Sequence, residues 1–230
     1  EAHHLSVGQM GVKRVLQRAV QLSKQDPNGD ARSQGGIDLP TIQKYVNHWF
    51  SYSVDLFGSE ISTNAADFFA AGIKGRWHEA KAHDEHTALN QHVMMVQVEN
   101  GALVEKPVPM RNAMNELLRD EYIKDCERVV KTWNRALKRE GSDFRVTLPN
   151  RRFFRRQGIY AGHFFDLEGN LISESEWMSK QAEWLPTEED RAYVQSLMHP
   201  VHNIGQCANW IAAPKKGING HPFEYEYVRH

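Results

Sequence analysis

The chain has 230 residues, 40% of them hydrophobic and 25% charged, which is the balance of a globular protein and not of a disordered one. A formal net charge of -1 supplies no global field to gather nucleic acid or an anionic membrane, and no apolar run approaches the roughly 20 residues of a membrane span. Two cysteines, Cys126 and Cys207, make neither a disulfide framework nor a Cys-x-x-Cys knuckle, so a reducing cytoplasm is the simplest home.

The first predicted element is a helix running to about Lys24 and stopped by Asp26-Pro27-Asn28-Gly29. It opens Glu1-Ala2-His3-His4, which makes it unlike a signal peptide. Glu1 and His4 are three apart, so both side chains lie on one face and can reach one metal. Carboxylate-bridged di-iron sites use this unit: two helices each offer a Glu-x-x-His pair and two more each add a carboxylate. Leu5, Gly8, Val12, Val15, Leu16 and Ala19 fall on the side of Glu1 and His4, which predicts that this side faces the core. His3, Arg14, Gln17 and Gln21 fall opposite, flanked by Lys13 and Arg18. No second Glu-x-x-His follows downstream. The expectation is the back end of a larger metalloenzyme, cut inside its last ligand helix; a chance Glu-x-x-His is the competing explanation.

Asp38 is predicted to cap a second helix, with Pro40 in its first turn and an inward stripe of Tyr45, Trp49, Tyr52 and Leu56. Gly58 and Ser59 interrupt it, and a further helix is predicted over 60–77. The polar run Ser59-Glu60-Ile61-Ser62-Thr63-Asn64 is either a capping device or part of a pocket wall, and capping explains Ser59 better than Asn64. His78, His83 and His86 invite a metal reading, but His78 and His83 are five apart where the zinc-protease pattern needs four, so a solvated connector is expected. Two strand-like runs follow, 93–98 and 103–104, joined by Asn100-Gly101, the residue pair that a type I′ hairpin turn requires.

A long helix is predicted over 111–139, with Leu118, Tyr122, Cys126, Val129, Trp133 and Leu137 as its core stripe. Asp120/Lys124 and Glu127/Lys131 are supporting pairs, and Gly141 ends the helix. Residues 144–172 suggest a small irregular β region with a turn at 167–170. Two short helices, about 174–183 and 188–198, precede an extended tail rich in Pro, Gly and aromatics, and Thr187 to Asp190 reads as a capping box. Within the β region, Arg151, Arg152, Arg155 and Arg156 surround Phe153 and Phe154. Guanidinium groups match phosphate oxygens, so this run can hold the phosphates of coenzyme A, or stack on nucleic-acid bases. The bland option is an edge strand with Phe inward and Arg in water. No Ser/His/Asp or Cys/His nucleophile arrangement and no phosphate-cradling Gly loop can be read from spacing. The predicted organisation is a helical core over 1–140, with a hairpin insertion near 92–106, and an irregular α+β region over 141–230 wrapping it.

Several longer strings carry a resemblance. Gly35 to Thr41, Asp55 to Ala66, Glu183 to Thr187, Trp210 to Pro214, and Gly217 to Gly220 with Glu224 to Arg229 resemble the oxygenase subunit of benzoyl-CoA epoxidase. The resemblance covers essentially the whole chain and corresponds to about the C-terminal half of that subunit. It implies a mainly α fold with a partial ferritin-like core, a small irregular β region and an extended C-terminal tail. It also implies a di-iron centre, with Glu1 and His4 among its ligands, and conversion of benzoyl-CoA with O2 to the 2,3-epoxide. Electrons would come from NADPH through a separate reductase carrying FAD. The other ligands would lie on the missing N-terminal half of the subunit, so this chain alone is expected to hold no iron and to be inactive. Candidate substrate-binding residues are Ser59, Asn64, Arg151, Arg152, Arg155 and Arg156. A non-catalytic helical module binding acyl-CoA or a protein is the alternative.

Overall fold

The computed structural model describes residues 2–64, 91–217 and 220–229. Residues 65–90, with most of the predicted 60–77 helix and all of the His78–His86 segment, lie outside the described residues, as does Glu1. The fold is mainly α. In chain order the elements are α1 (Ala2–Ser23), α2 (Leu39–Asp55), β1 (His92–Glu99), β2 (Ala102–Pro109), α3 (Met114–Arg139), α4 (Glu174–Trp184), α5 (Glu188–Ser196), β3 (Gln206–Ala208) and β4 (Glu226–Val228). No helix among the described residues is long and apolar enough to cross a membrane. The chain divides into two compact units, neither continuous in sequence. The first takes Glu1–Val46, Arg128–Thr147 and Ala182–His230; the second takes Asn47–Glu127 and Leu148–Gln181.

In the first unit, α1 buries Leu16 and Ala19 of the stripe that its periodicity selects, together with Val20 and Leu22 beyond it. That stripe does not extend to the start of the helix, because residues 3–10 are exposed all round, Leu5 and Gly8 included. Arg18, expected beside the polar face, is buried. Its guanidinium donates to the Asn209 carbonyl at 2.8 Å and to Asn209 Oδ1 at 2.7 Å, and lies 3.6 Å from the Tyr227 ring centre. The tail that supplies these partners is pinned by parallel pairing of β3 with β4, from Gln206↔Glu226 to Ala208↔Val228. The polar side of α1 is therefore a docking face for the tail. Helix α5 opens with a capping box: the Asp190 amide donates to Thr187 Oγ1 and the Thr187 amide to Asp190 Oδ2, both at 3.1 Å.

In the second unit, β1 and β2 pair in antiparallel register from His92↔Pro109 to Glu99↔Ala102. Asn100 and Gly101 turn the chain with φ of 48° and 76°, the positive values a type I′ turn needs. Met95, Val108 and Ala113 form a buried cluster joined by Ile61, Val93 and Ile159. The inward stripe predicted for α2 is on the wrong face. Trp49, Tyr52 and Leu56 are 60%, 41% and 86% exposed, while Asn47, Phe50, Ser51 and Val54 are buried. The buried set also has helical spacing, and the Ser51 hydroxyl is satisfied within the helix, where Ser51 Oγ donates to the Asn47 carbonyl at 2.9 Å. On α3, Leu118, Tyr122 and Cys126 are half-buried, but Glu116 and Arg119 are buried. Two charged residues thus lie deeper than the apolar stripe, and their partners define the candidate site.

Candidate functional site

The arginine run is a turn, not an edge strand. The Phe153 amide donates to the Asn150 carbonyl at 2.9 Å, the Arg152 amide donates to Asn150 Oδ1 at 3.1 Å, and Phe154 takes a φ of 50°. This positive φ is uncommon outside glycine, and it lets Phe153 and Arg155 both point inward. Phe153 is fully buried beside Trp177, with ring centres 5.3 Å apart.

Around this turn, eight charges alternate in sign. Asp120 pairs with Arg151, which also reaches Glu116 at 2.6 Å. Glu116 pairs with Arg119, whose Nη1 lies 3.4 Å from Glu60. Glu60 Oε1 takes Arg155 at 2.5 Å, Arg155 takes Asp55 at 2.6 Å, and Asp55 takes Arg156 at 2.8 Å. The side chains of Arg119, Glu60 and Arg155 have no solvent exposure, so the middle of this ladder is dry. Isolated buried charges cost several kcal/mol each; strict alternation is what makes burial of this many possible. Burial works against ionisation of Glu116, yet Arg119 and Arg151 together hold its carboxyl below the usual range. Arg119 also donates to the carbonyls of Val54 at 2.9 Å and Gly58 at 2.5 Å, tying the end of α2 to the loop after it. Glu60 Oε2 accepts from the Ile159 amide at 2.8 Å. Gly158, with φ of 84°, sits where a Cβ would come within 1.9 Å of that oxygen, so no larger residue fits.

The structure thus brings together Arg151, Arg155 and Arg156 of the expected substrate contacts, but around carboxylates of the same chain. Arg155 in particular is wholly internal. Arg152 stands outside the ladder. Ser59 belongs to the same loop as Glu60, and its carbonyl accepts from Asn115 Nδ2 at 2.8 Å. Asn64 is exposed. An open cleft of about 520 Å³ in this unit is lined by residues that include His163, Phe164, Ser173 and Glu176, and by none of the six candidate residues. Spacing within one segment missed Asp55, Glu60, Glu116, Arg119 and Asp120 as partners. The detectable signal was Glu116-x-x-Arg119-Asp120, three charges at helical spacing on a segment that begins with a buried Met114.

Of the expected iron ligands, His4 lies on the exposed first turns of α1, as does His3, and Glu1 lies outside the described residues. Carboxylate and imidazole are the right donors in kind for iron. Among the described residues no group of three or more His, Cys, Asp or Glu is placed to hold a metal.

No protein-family model matches the chain. It is 45% identical over 232 aligned residues to benzoyl-CoA oxygenase component B of Aromatoleum evansii. The alignment takes in 100% of this chain and 49% of that protein, so the chain spans about half the length of the curated relative it matches.

Proposed function

We propose, from its similarity to benzoyl-CoA oxygenase component B, that this chain is the C-terminal part of a monooxygenase subunit of that kind, which epoxidises the ring of benzoyl-CoA. Identity of 45% over an alignment that takes in the whole chain is the observation that carries this reading. A non-catalytic helical binding module is not favoured by that match.

The reading extends to the chemistry. The substrates are benzoyl-CoA and O2, the product is the 2,3-epoxide, and electrons come from NADPH through a separate flavin-containing reductase. The word component in the relative's name supports a partner of this kind. A di-iron centre on a partial ferritin-like core, when bound, supplies the activation of O2. Glu1 and His4 contribute two of its ligands, and the rest come from polypeptide corresponding to the half of component B that this chain does not span. Ser59 and Asn64 serve the thioester end of the substrate, and the arginine turn serves its phosphate end. Two free thiols suit a cytoplasmic protein.

The test is made on the chain joined to the remainder of the subunit. Glu1→Ala and His4→Ala should each abolish epoxidation and lower iron content, while His3→Ala should change neither. Equal iron loss in the His3 and His4 variants would show that the helix face has been assigned wrongly.

A further inference from the structure

The second unit holds five arginines in or beside the ladder and four carboxylates. Arg119, Arg151, Arg155 and Arg156 are each paired with Asp55, Glu60, Glu116 or Asp120. The ladder is therefore neutral as a whole, and its arginines are poor partners for a further anion. Arg152 is the surplus cation. Its Nη1 donates to the Gly169 carbonyl at 3.1 Å, and its guanidinium lies 5.7 Å from the Tyr160 ring centre. Both neighbours are neutral: the Tyr160 hydroxyl donates to the Val96 carbonyl at 2.6 Å, and its oxygen accepts from Arg152. Among the described residues no carboxylate pairs with Arg152, and its Nε is buried without an acceptor. A guanidinium carries five N–H donors in a planar fork, and with only a carbonyl and a phenol as partners its positive charge is left uncompensated.

We infer that Arg152 is the anion contact of this unit, and that the anion is a phosphate group of an acyl-CoA. The identity of the anion rests on the proposed function; the existence of the site rests on the charge balance. Arg151, Arg155 and Arg156 then act from behind. They hold the turn in shape while Arg152 meets the ligand.

The experiment is calorimetric titration of the chain with coenzyme A and, separately, with inorganic phosphate. It compares the native chain with Arg152→Gln and Arg152→Lys, each first shown by circular dichroism to be folded. A charge-assisted contact predicts about ten- to a hundredfold weaker binding in Arg152→Gln. Arg152→Lys should keep part of the affinity, because it keeps the charge. If coenzyme A binds all three equally, or both variants lose equally, the assignment of Arg152 is overturned while the acyl-CoA reading stands. If phosphate binds in an Arg152-dependent way and coenzyme A does not bind, the anion site stands and the acyl-CoA reading fails. If the native chain binds neither, both fall.

Discussion

At the residue scale, Glu60 is the keystone of the second unit. It joins Arg119 and Arg155, all three without solvent exposure, and it also accepts from the Ile159 amide. Replacing it by Gln keeps the shape but leaves Arg119 and Arg155 with one carboxylate each, Glu116 and Asp55, in a dry interior. Breaking a buried pair from one side costs about 3–5 kcal/mol. Glu121 makes an outwardly similar contact, 2.9 Å from Lys124, but with both side chains about half exposed. Removing such a surface pair costs at most about 1 kcal/mol. Urea unfolding of Glu60→Gln and Glu121→Ala should therefore differ by several-fold in lost stability; a Glu60→Gln loss below that of Glu121→Ala would mean that the ladder is not a dry network. None of this was legible in the arginine run. Its partners Asp55, Glu60, Glu116 and Asp120 come from two helices and a loop distant in sequence, and spacing within one segment carries no information about them.

At the element scale, the same contrast separates what local sequence determines from what packing decides. The hairpin turn at Asn100-Gly101, the stop after α1 and the capping box at Thr187 were all legible, because each is set by the conformational preferences of two to four adjacent residues. The buried face of α2 was not. Size pointed to Trp49, Tyr52 and Leu56, whereas the interior selected Asn47, Phe50, Ser51 and Val54, with the Ser51 hydroxyl bonded back to the Asn47 carbonyl. Helix α5 yields a pH prediction. Asp190 completes its capping box and also takes Arg32 at 2.5 Å and Lys44 at 2.9 Å. Burial alone would raise its carboxyl, but the hydrogen bonds from Lys44, the Thr187 backbone and Arg32 outweigh it and hold the group well below the ordinary value of 3.8. With the folded value depressed, the ionised group stabilises the fold fully above that ordinary value and progressively less as pH falls through the folded one. The melting-temperature advantage of the native chain over Asp190→Asn should thus be flat at neutral pH and shrink in acid. An advantage that grows in acid would contradict this assignment.

At the scale of the whole molecule, the mainly α architecture followed from helical periodicity, and the similarity to component B was legible in strings spread along the chain. The candidate site was legible only in part. Glu1 and His4 share a helix face by spacing, but α1 exposes its first turns within this chain, and half of the relative's length has no counterpart in it. On the proposed reading, the partners of Glu1 and His4 lie on polypeptide corresponding to that other half. The central claim is oxygenation of benzoyl-CoA, and the most direct measurement is O2 uptake by the chain joined to the remainder of component B, loaded with iron and supplied with reductase and NADPH. Uptake should depend on benzoyl-CoA and yield a product heavier than the substrate by one oxygen atom, and both should be lost in His4→Ala. O2 uptake indifferent to benzoyl-CoA, with the substrate recovered unchanged, would contradict it.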